Sequence, residues 1–200
     1  MILRFALVIL GLNFLSSCTF FRSAMVVERE SSLKRVWSKS FDPPYDSGNL
    51  PISYNAPLMT EDILYVAAPN GLLKAFALQD GRELWSVRHD RALVGTPVLY
   101  EDKLFYGADD GRLFVRQPLN GQLLYEVDLG EAIESRPTGA QGRILFHLRN
   151  HKIFCLDAST GKILWSYARS VAASPTLQGL SSPFVADQKV ITGFADGYLV

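Results

Sequence analysis

The feature that most constrains this chain is a period of 40 residues. Pro57, Pro97 and Pro137 stand 40 apart, and so do Gly71 and Gly111, the series Gly81, Gly121, Gly161, and the aromatics Trp85, Tyr125 and Trp165. Four markers in one register define a repeat, and the repeat decides the fold before any local reading does. In the second unit, extended runs at Thr96–Tyr100, Lys103–Ala108, Arg112–Gln117 and Leu123–Leu129 are separated by Glu101-Asp102, Asp109-Asp110-Gly111 and Asn120-Gly121. Asp-Gly and Asn-Gly favour tight hairpins because glycine and asparagine tolerate positive φ. Four antiparallel strands in about 40 residues make one blade of a β-propeller. The chain is therefore expected to be all-β, with about three and a half four-stranded blades in an incomplete ring.

The periodic aromatic falls on the outermost strand of each blade, just beyond the hairpin glycine. A large ring there covers the gap between neighbouring blades and a sheet edge that would otherwise be open. Trp37, Trp85, Tyr125 and Trp165 are accordingly expected to dock blades together. Trp37 follows only a tail and has no three preceding strands of its own. Residues 33–41 are thus expected to be an outer strand that closes the ring against strands from the C-terminal end. The run from Gly193 to Val200 halts in a third strand, so the sequence reads as the N-terminal half of a longer protein.

The first residues belong to no blade. Arg4 is followed by an apolar run from Phe5 to Leu15, too short to span a bilayer of about 30 Å as a helix but suited to an export signal. The next residues, Leu15-Ser16-Ser17-Cys18, resemble a bacterial lipobox. That resemblance implies cleavage after residue 17 and a diacylglycerol on Cys18, with residues 18–32 as a tether and 33–200 as the propeller. Thr19, where an aspartate would mark inner-membrane retention, implies the outer membrane. Cys155 is then the one remaining thiol, and its apolar strand Lys152–Leu156 predicts a small buried hydrophobe, not a nucleophile.

Charge excludes one class of function. With 20 basic and 20 acidic residues the net charge is zero, and no Lys/Arg cluster offers the footprint of a nucleic-acid binder. His89, His147 and His151 are too scattered for a zinc set, and His151 replaces the turn glycine of the other blades. No nucleophile–base pair or phosphate loop is present, since the glycines sit in hairpins and not before a helix. No catalytic residue, metal or cofactor is expected.

Ala158-Ser-Thr-Gly-Lys-Ile-Leu-Trp165 resembles the tryptophan-docking repeat of the pyrroloquinoline-quinone (PQQ)-type propellers, a superfamily with both quinone-dependent dehydrogenases and members that bind no quinone. The lipobox, the tail, the strand at Trp37 and the blade length together resemble the BamB-like lipoproteins of outer-membrane β-barrel assembly. One further segment carries the likeness. The proline expected near position 177 comes six residues late, at Pro183, after Ser174-Pro-Thr-Leu-Gln-Gly-Leu-Ser-Ser. This is similar to a family loop, Leu-Ser-Leu-Arg-Gly-x-Ser-x-Pro, with Gln178 in the arginine position and Pro175 where the family has an earlier leucine. The resemblance implies a non-catalytic scaffold, lipid-anchored to the outer membrane and facing the periplasm. It also implies partners: the BamA-like barrel-inserting subunit, met through Leu177, Gln178 and Gly179, and unfolded outer-membrane proteins. A PQQ-dependent oxidoreductase whose site lies in a C-terminal half is the alternative.

Overall fold

The structure, a computed structural model, describes residues 34–39, 55–170 and 180–200. The chain divides into two units, residues 1–35 and 36–200, and every strand of the described residues lies in the second. Three four-stranded antiparallel sheets follow one another along the sequence, in spatial order β1-β2-β3-β4, β5-β6-β7-β8 and β12-β11-β10-β9. The first comprises β1 (Leu58–Met59), β2 (Ile63–Ala67), β3 (Leu72–Ala77) and β4 (Glu83–Arg88). The second comprises β5 (Leu93–Tyr100), β6 (Lys103–Ala108), β7 (Arg112–Arg116) and β8 (Leu123–Asp128). The third comprises β9 (Thr138–Ala140), β10 (Arg143–His147), β11 (Lys152–Asp157) and β12 (Ile163–Ala168). A fourth sheet begins with β13 (Phe184–Ala186) and β14 (Lys189–Ile191) and continues into a bridge between Gly193 and Leu199. The described residues form no helix, and no sheet joins early strands to late ones, so this propeller ring is not closed.

The pairing register repeats with the sequence. Tyr65 faces Ala75, Phe105 faces Val115 and Leu145 faces Cys155. One strand further out, Ala75 faces Trp85, Val115 faces Tyr125 and Cys155 faces Trp165, and in each sheet the register shifts immediately afterwards. The shift leaves Leu84, Leu124 and Leu164 as the extra residue of a β-bulge. A bulge bends its strand and sharpens the twist, which turns the aromatic beside it toward the next sheet.

Packing explains why the middle strands read as unbroken apolar runs. In β6, Leu104, Tyr106 and Ala108 join Leu93 of β5 in a core shared with Tyr65 and Leu73 of the first sheet. Phe105, on the opposite face, joins Ile144, Phe146 and Leu156 from the third sheet and Ile133 from the link that precedes it. Successive residues of a strand point to opposite faces, and both faces of this strand are covered. Each fully buried side chain of this size contributes roughly 1.5–3 kcal/mol relative to exposure. The strands β4 and β8 contain only half-buried and exposed residues, and β12 is exposed along its whole length.

Antiparallel order also sorts the loops. The turns β1–β2, β3–β4 and their equivalents lie at one end of the sheets, called the lower end. The turns β2–β3 and the links between sheets lie at the upper end. The lower turns Glu101-Asp102, Gln141-Gly142 and Asp187-Gln188 have both residues at positive φ, the two-residue geometry whose twist matches the flanking strands.

Candidate functional site

The expected docking aromatics occupy a common geometry. Trp37 Nε1 donates to the Leu78 carbonyl at 2.9 Å, Trp85 Nε1 to the Pro118 carbonyl at 2.8 Å, and the Tyr125 hydroxyl to the Ala158 carbonyl at 2.7 Å. Each acceptor lies three residues before a turn glycine of the following hairpin. A Cβ on that glycine would lie 2.7 Å from the ring: Gly81 against Trp37, Gly121 against Trp85 and Gly161 against Tyr125. All three glycines have φ near +70°, so the absent side chain serves both the turn and the ring above it. Residues 34–39 form no strand, yet Trp37 still holds its place on Gly81. Trp165 is 37% exposed and lines an 80 Å³ cleft with Cys155, Val185 and Val190. Cys155 is buried opposite it, and burial pushes the thiol pKa up, away from thiolate chemistry.

Cys18, Leu177, Gln178 and Gly179 lie outside the described residues. The two ends of the long link that carries the last three are in view, at the upper end between the third and fourth sheets. At its start, Arg169 pairs with Asp196 at 2.7 Å and lies 4.4 Å above the Tyr198 ring and 5.8 Å from Phe194. The hydrogen bond from Arg169 holds the Asp196 carboxyl below its usual range. At its finish, the Ser181 hydroxyl donates to the Gly193 carbonyl at 2.7 Å and accepts from the Gly193 amide at 3.0 Å. Pro183 accepts from the Thr138 hydroxyl. Ser181 therefore repeats what Ser135 does one sheet earlier, where its hydroxyl accepts from the His147 amide at 3.0 Å.

His147 lies beneath this finish, fully buried. Its Nδ1 is 3.1 Å from the Ser181 carbonyl; a carbonyl only accepts, so Nδ1 carries the proton. Burial, the largest influence, lowers the pKa, and a neutral ring follows. His151 has φ +61° where Gly71 and Gly111 stand in the other turns, and it packs near His147 and Phe194 with ring centres 6.3 Å apart in each case. Among the described residues no three His, Cys, Asp or Glu side chains are grouped to hold a metal ion.

His89 belongs to a different network, in the second sheet. Arg116 Nε donates to the Tyr106 hydroxyl at 2.6 Å, so the hydroxyl proton is directed at His89 Nε2, 3.0 Å away. Burial first, then the charges of Arg116 and Arg112, pushes His89 down to about 4. Between pH 6.5 and about 4 the unfolded chain takes up a proton at this position and the native chain does not. Stability is therefore expected to fall as pH drops through that window. Thermal melts at pH 7 and pH 4.5 should show a smaller loss for His89→Leu than for the parent; an equal loss would mean that His89 is not the linked group. His147 adds a slope of the same sign that the variant retains.

Sequence reasoning had not found Arg169, Asp196, Phe194 or Tyr198. Their contacts span 27 residues across the insertion, where the 40-residue register no longer aligns partners. The repeat gave no signal for the pair: Asp110, the repeat equivalent of Asp196, bonds instead to Arg112, two residues further on, at 2.7 Å.

Among solved structures the chain is similar to BamB from Moraxella catarrhalis, with TM-score 0.62 and 20% identity over 72% of this chain; it spans only 42% of that protein's length. It is similar to the computationally designed Ika4 protein, with TM-score 0.62 and 18% identity, covering 77% of this chain and 92% of Ika4. It is also similar to the quinohemoprotein alcohol dehydrogenase ADHIIG from Pseudomonas putida HK5, with TM-score 0.52 and 21% identity, covering 62% of this chain and 21% of the enzyme. At these identities the likeness is one of fold. No curated protein matches the chain. The family model described as outer membrane protein assembly factor BamB matches residues 30–116 and 69–200, and between them these segments run from residue 30 to residue 200. The chain belongs to the BamB family of PQQ-type propellers.

Proposed function

We propose that this chain is a non-catalytic scaffold of outer-membrane β-barrel assembly, tethered by lipid on Cys18 and facing the periplasm. Its long upper-end link, through Leu177, Gln178 and Gly179, contacts the periplasmic part of a BamA-like barrel-inserting subunit. Family membership supports the assembly role. The observation that carries the contact is the six-residue lengthening of a link whose two ends are fixed, by Arg169–Asp196 and by Ser181 on Gly193. Lengthening a loop costs little, about 0.6 kcal/mol per doubling, so stability does not account for it, whereas surface loops on a rigid scaffold commonly bind. The Trp37, Trp85 and Tyr125 contacts supply that rigidity. The likeness of fold to ADHIIG brings no cofactor or reaction to this chain.

Leu177→Asp combined with Gln178→Ala is expected to abolish co-purification with the barrel-inserting subunit while leaving the melting temperature nearly unchanged. Undiminished co-purification would remove the link from the interface, and a large fall in melting temperature would make Leu177 a packing residue instead. Cys18→Ala is expected to move the protein from the membrane pellet to the soluble periplasmic fraction. Mass spectrometry of the parent should find an acylated N-terminus at Cys18, and a mature chain retaining residues 1–17 would contradict the anchor.

A further inference from the structure

A groove of about 440 Å³ opens at the lower end, between the first and second sheets. Its floor is apolar, formed by Ile63, Leu99 and Pro118 with the ring of Tyr65, and Leu119 stands at its lip. Leu119 is 71% exposed and extends the apolar floor to the edge of the groove. Two hydroxyls of the lining bond to carbonyls of the protein itself. Thr60 closes its own turn on Ile63 at 3.1 Å, and the Tyr65 hydroxyl donates to the Pro118 carbonyl at 3.3 Å. The rim is acidic: Glu61 and Asp62 on the β1–β2 turn and Asp102 on the β5–β6 turn.

Several carboxylates elsewhere on the sheets are neutralised by an arginine or lysine, Glu83 by Lys74 among them. At the upper end Asp90 and Asp110 pair with Arg112, Glu134 with Arg149, and Asp196 with Arg169. At the groove, none of the three rim carboxylates pairs with a cation among the described residues, and no lysine or arginine lines it. The volume lies within the range of small-ligand clefts, and the charge around an apolar floor is of one sign. We infer that this groove is a second docking surface, for a basic peptide segment that seats one large apolar side chain between two lysine or arginine residues. The apolar group covers Ile63, Leu99 and Leu119 while the cations reach Glu61, Asp62 and Asp102. Complementary charge of this kind sets partner choice and association rate as well as affinity. The inference does not rest on the contact proposed for residues 177–179, since none of them lines this groove.

The test is a titration of the whole chain with a labelled, capped pentapeptide, Arg-Ser-Phe-Ser-Arg, followed by fluorescence anisotropy. In an extended chain alternate residues share a face, so this peptide presents a ring between two guanidinium groups. The combined variant Glu61→Gln, Asp62→Asn, Asp102→Asn is expected to weaken binding at least about tenfold, and Leu119→Ser by about tenfold. Asparagine keeps the positive φ that position 102 requires, +56°. All four side chains are exposed, so melting temperatures should stay with the parent. Arg-Ser-Ser-Ser-Arg should bind at least about tenfold more weakly than the phenylalanine peptide, and Glu-Ser-Phe-Ser-Glu should not bind. Three outcomes would overturn the proposal: no binding of the first peptide up to about 1 mM, binding insensitive to either set of substitutions, or equal binding of the acidic peptide.

Discussion

Trp85→Ala is expected to destabilise the protein by about 3–5 kcal/mol, the usual cost of deleting a large aromatic from a packed site. The indole has three attachments to lose: its Nε1 bond to the Pro118 carbonyl, its seat on Gly121 and its contact with Tyr65, with ring centres 5.9 Å apart. Removing it also opens the side of the core shared by the first two sheets, against which Trp85 is packed. The same substitution at position 165 should cost only about 1 kcal/mol in the 200-residue chain, because a partly exposed ring has less apolar area to return to water. Trp165 sits at the same place in its own sheet, opposite Cys155 as Trp85 is opposite Ala75, so strand propensity cannot separate the two variants. Only the seat differs. Urea denaturation of both variants beside the parent measures this contrast. Equal losses would mean that the aromatics act within their own sheets and not between sheets.

The periodicity made most of this architecture legible. The runs read from the second unit match β6 at both ends and β7 and β8 within one residue, because the alternation and the Asn-Gly and Asp-Gly turns carry their own backbone instructions. The start of β5 was not legible. The extended run was expected to start at Thr96, yet the strand runs from Leu93 through a register shift between Val94 and Val98, with Gly95 at φ +79°. The glycine marks a bulge and not a break, and tight contact with the link at Ile133 and Ser135 leaves no room there for a side chain. The repeated bulge beside each aromatic was hidden for a related reason. Leu84, Leu124 and Leu164 are ordinary strand residues, and only the register of the partner strand shows that each lacks an opposite number.

The candidate site divides along the same line. Ser-x-Pro occurs at 135–137 and again at 181–183, so the finish of the long link was readable from the repeat once the six extra residues were allowed for. The Arg169–Asp196 pair at its start is a tertiary contact between a strand end and a turn of the next sheet, and no local pattern encodes it. The lower groove was less accessible still. Its walls come from three separate turns whose residues, taken singly, are ordinary turn chemistry.

Gly121→Ala is the second substitution expected to be severe, at about 3–4 kcal/mol. Two costs combine. Alanine at φ +70° sits in the left-handed region, a strain of about 1–3 kcal/mol. Its Cβ would lie 2.7 Å from Trp85 Cε3 and 2.8 Å from Cδ2, and overpacking of this kind costs about 1–3 kcal/mol. The ring cannot simply swing aside, because its Nε1 is held by Pro118, three residues before the glycine on the same hairpin. The two costs can be separated by combining Gly121→Ala with Trp85→Ala. The double variant has no ring to collide with and retains only the backbone strain, so its loss should fall short of the sum of the single losses by about 1–3 kcal/mol. If the losses simply add, the ring and the glycine are not in contact, and the seat inferred from their geometry is wrong. If Gly121→Ala alone costs under about 1 kcal/mol, the hairpin adopts another turn, and the repeated glycine is explained by neither strain nor contact. A coupling of the expected size would locate the stability of this fold at the joints between sheets. Gly81 and Gly161 should then couple to Trp37 and Tyr125 in the same way, since each bears its ring at the same 2.7 Å.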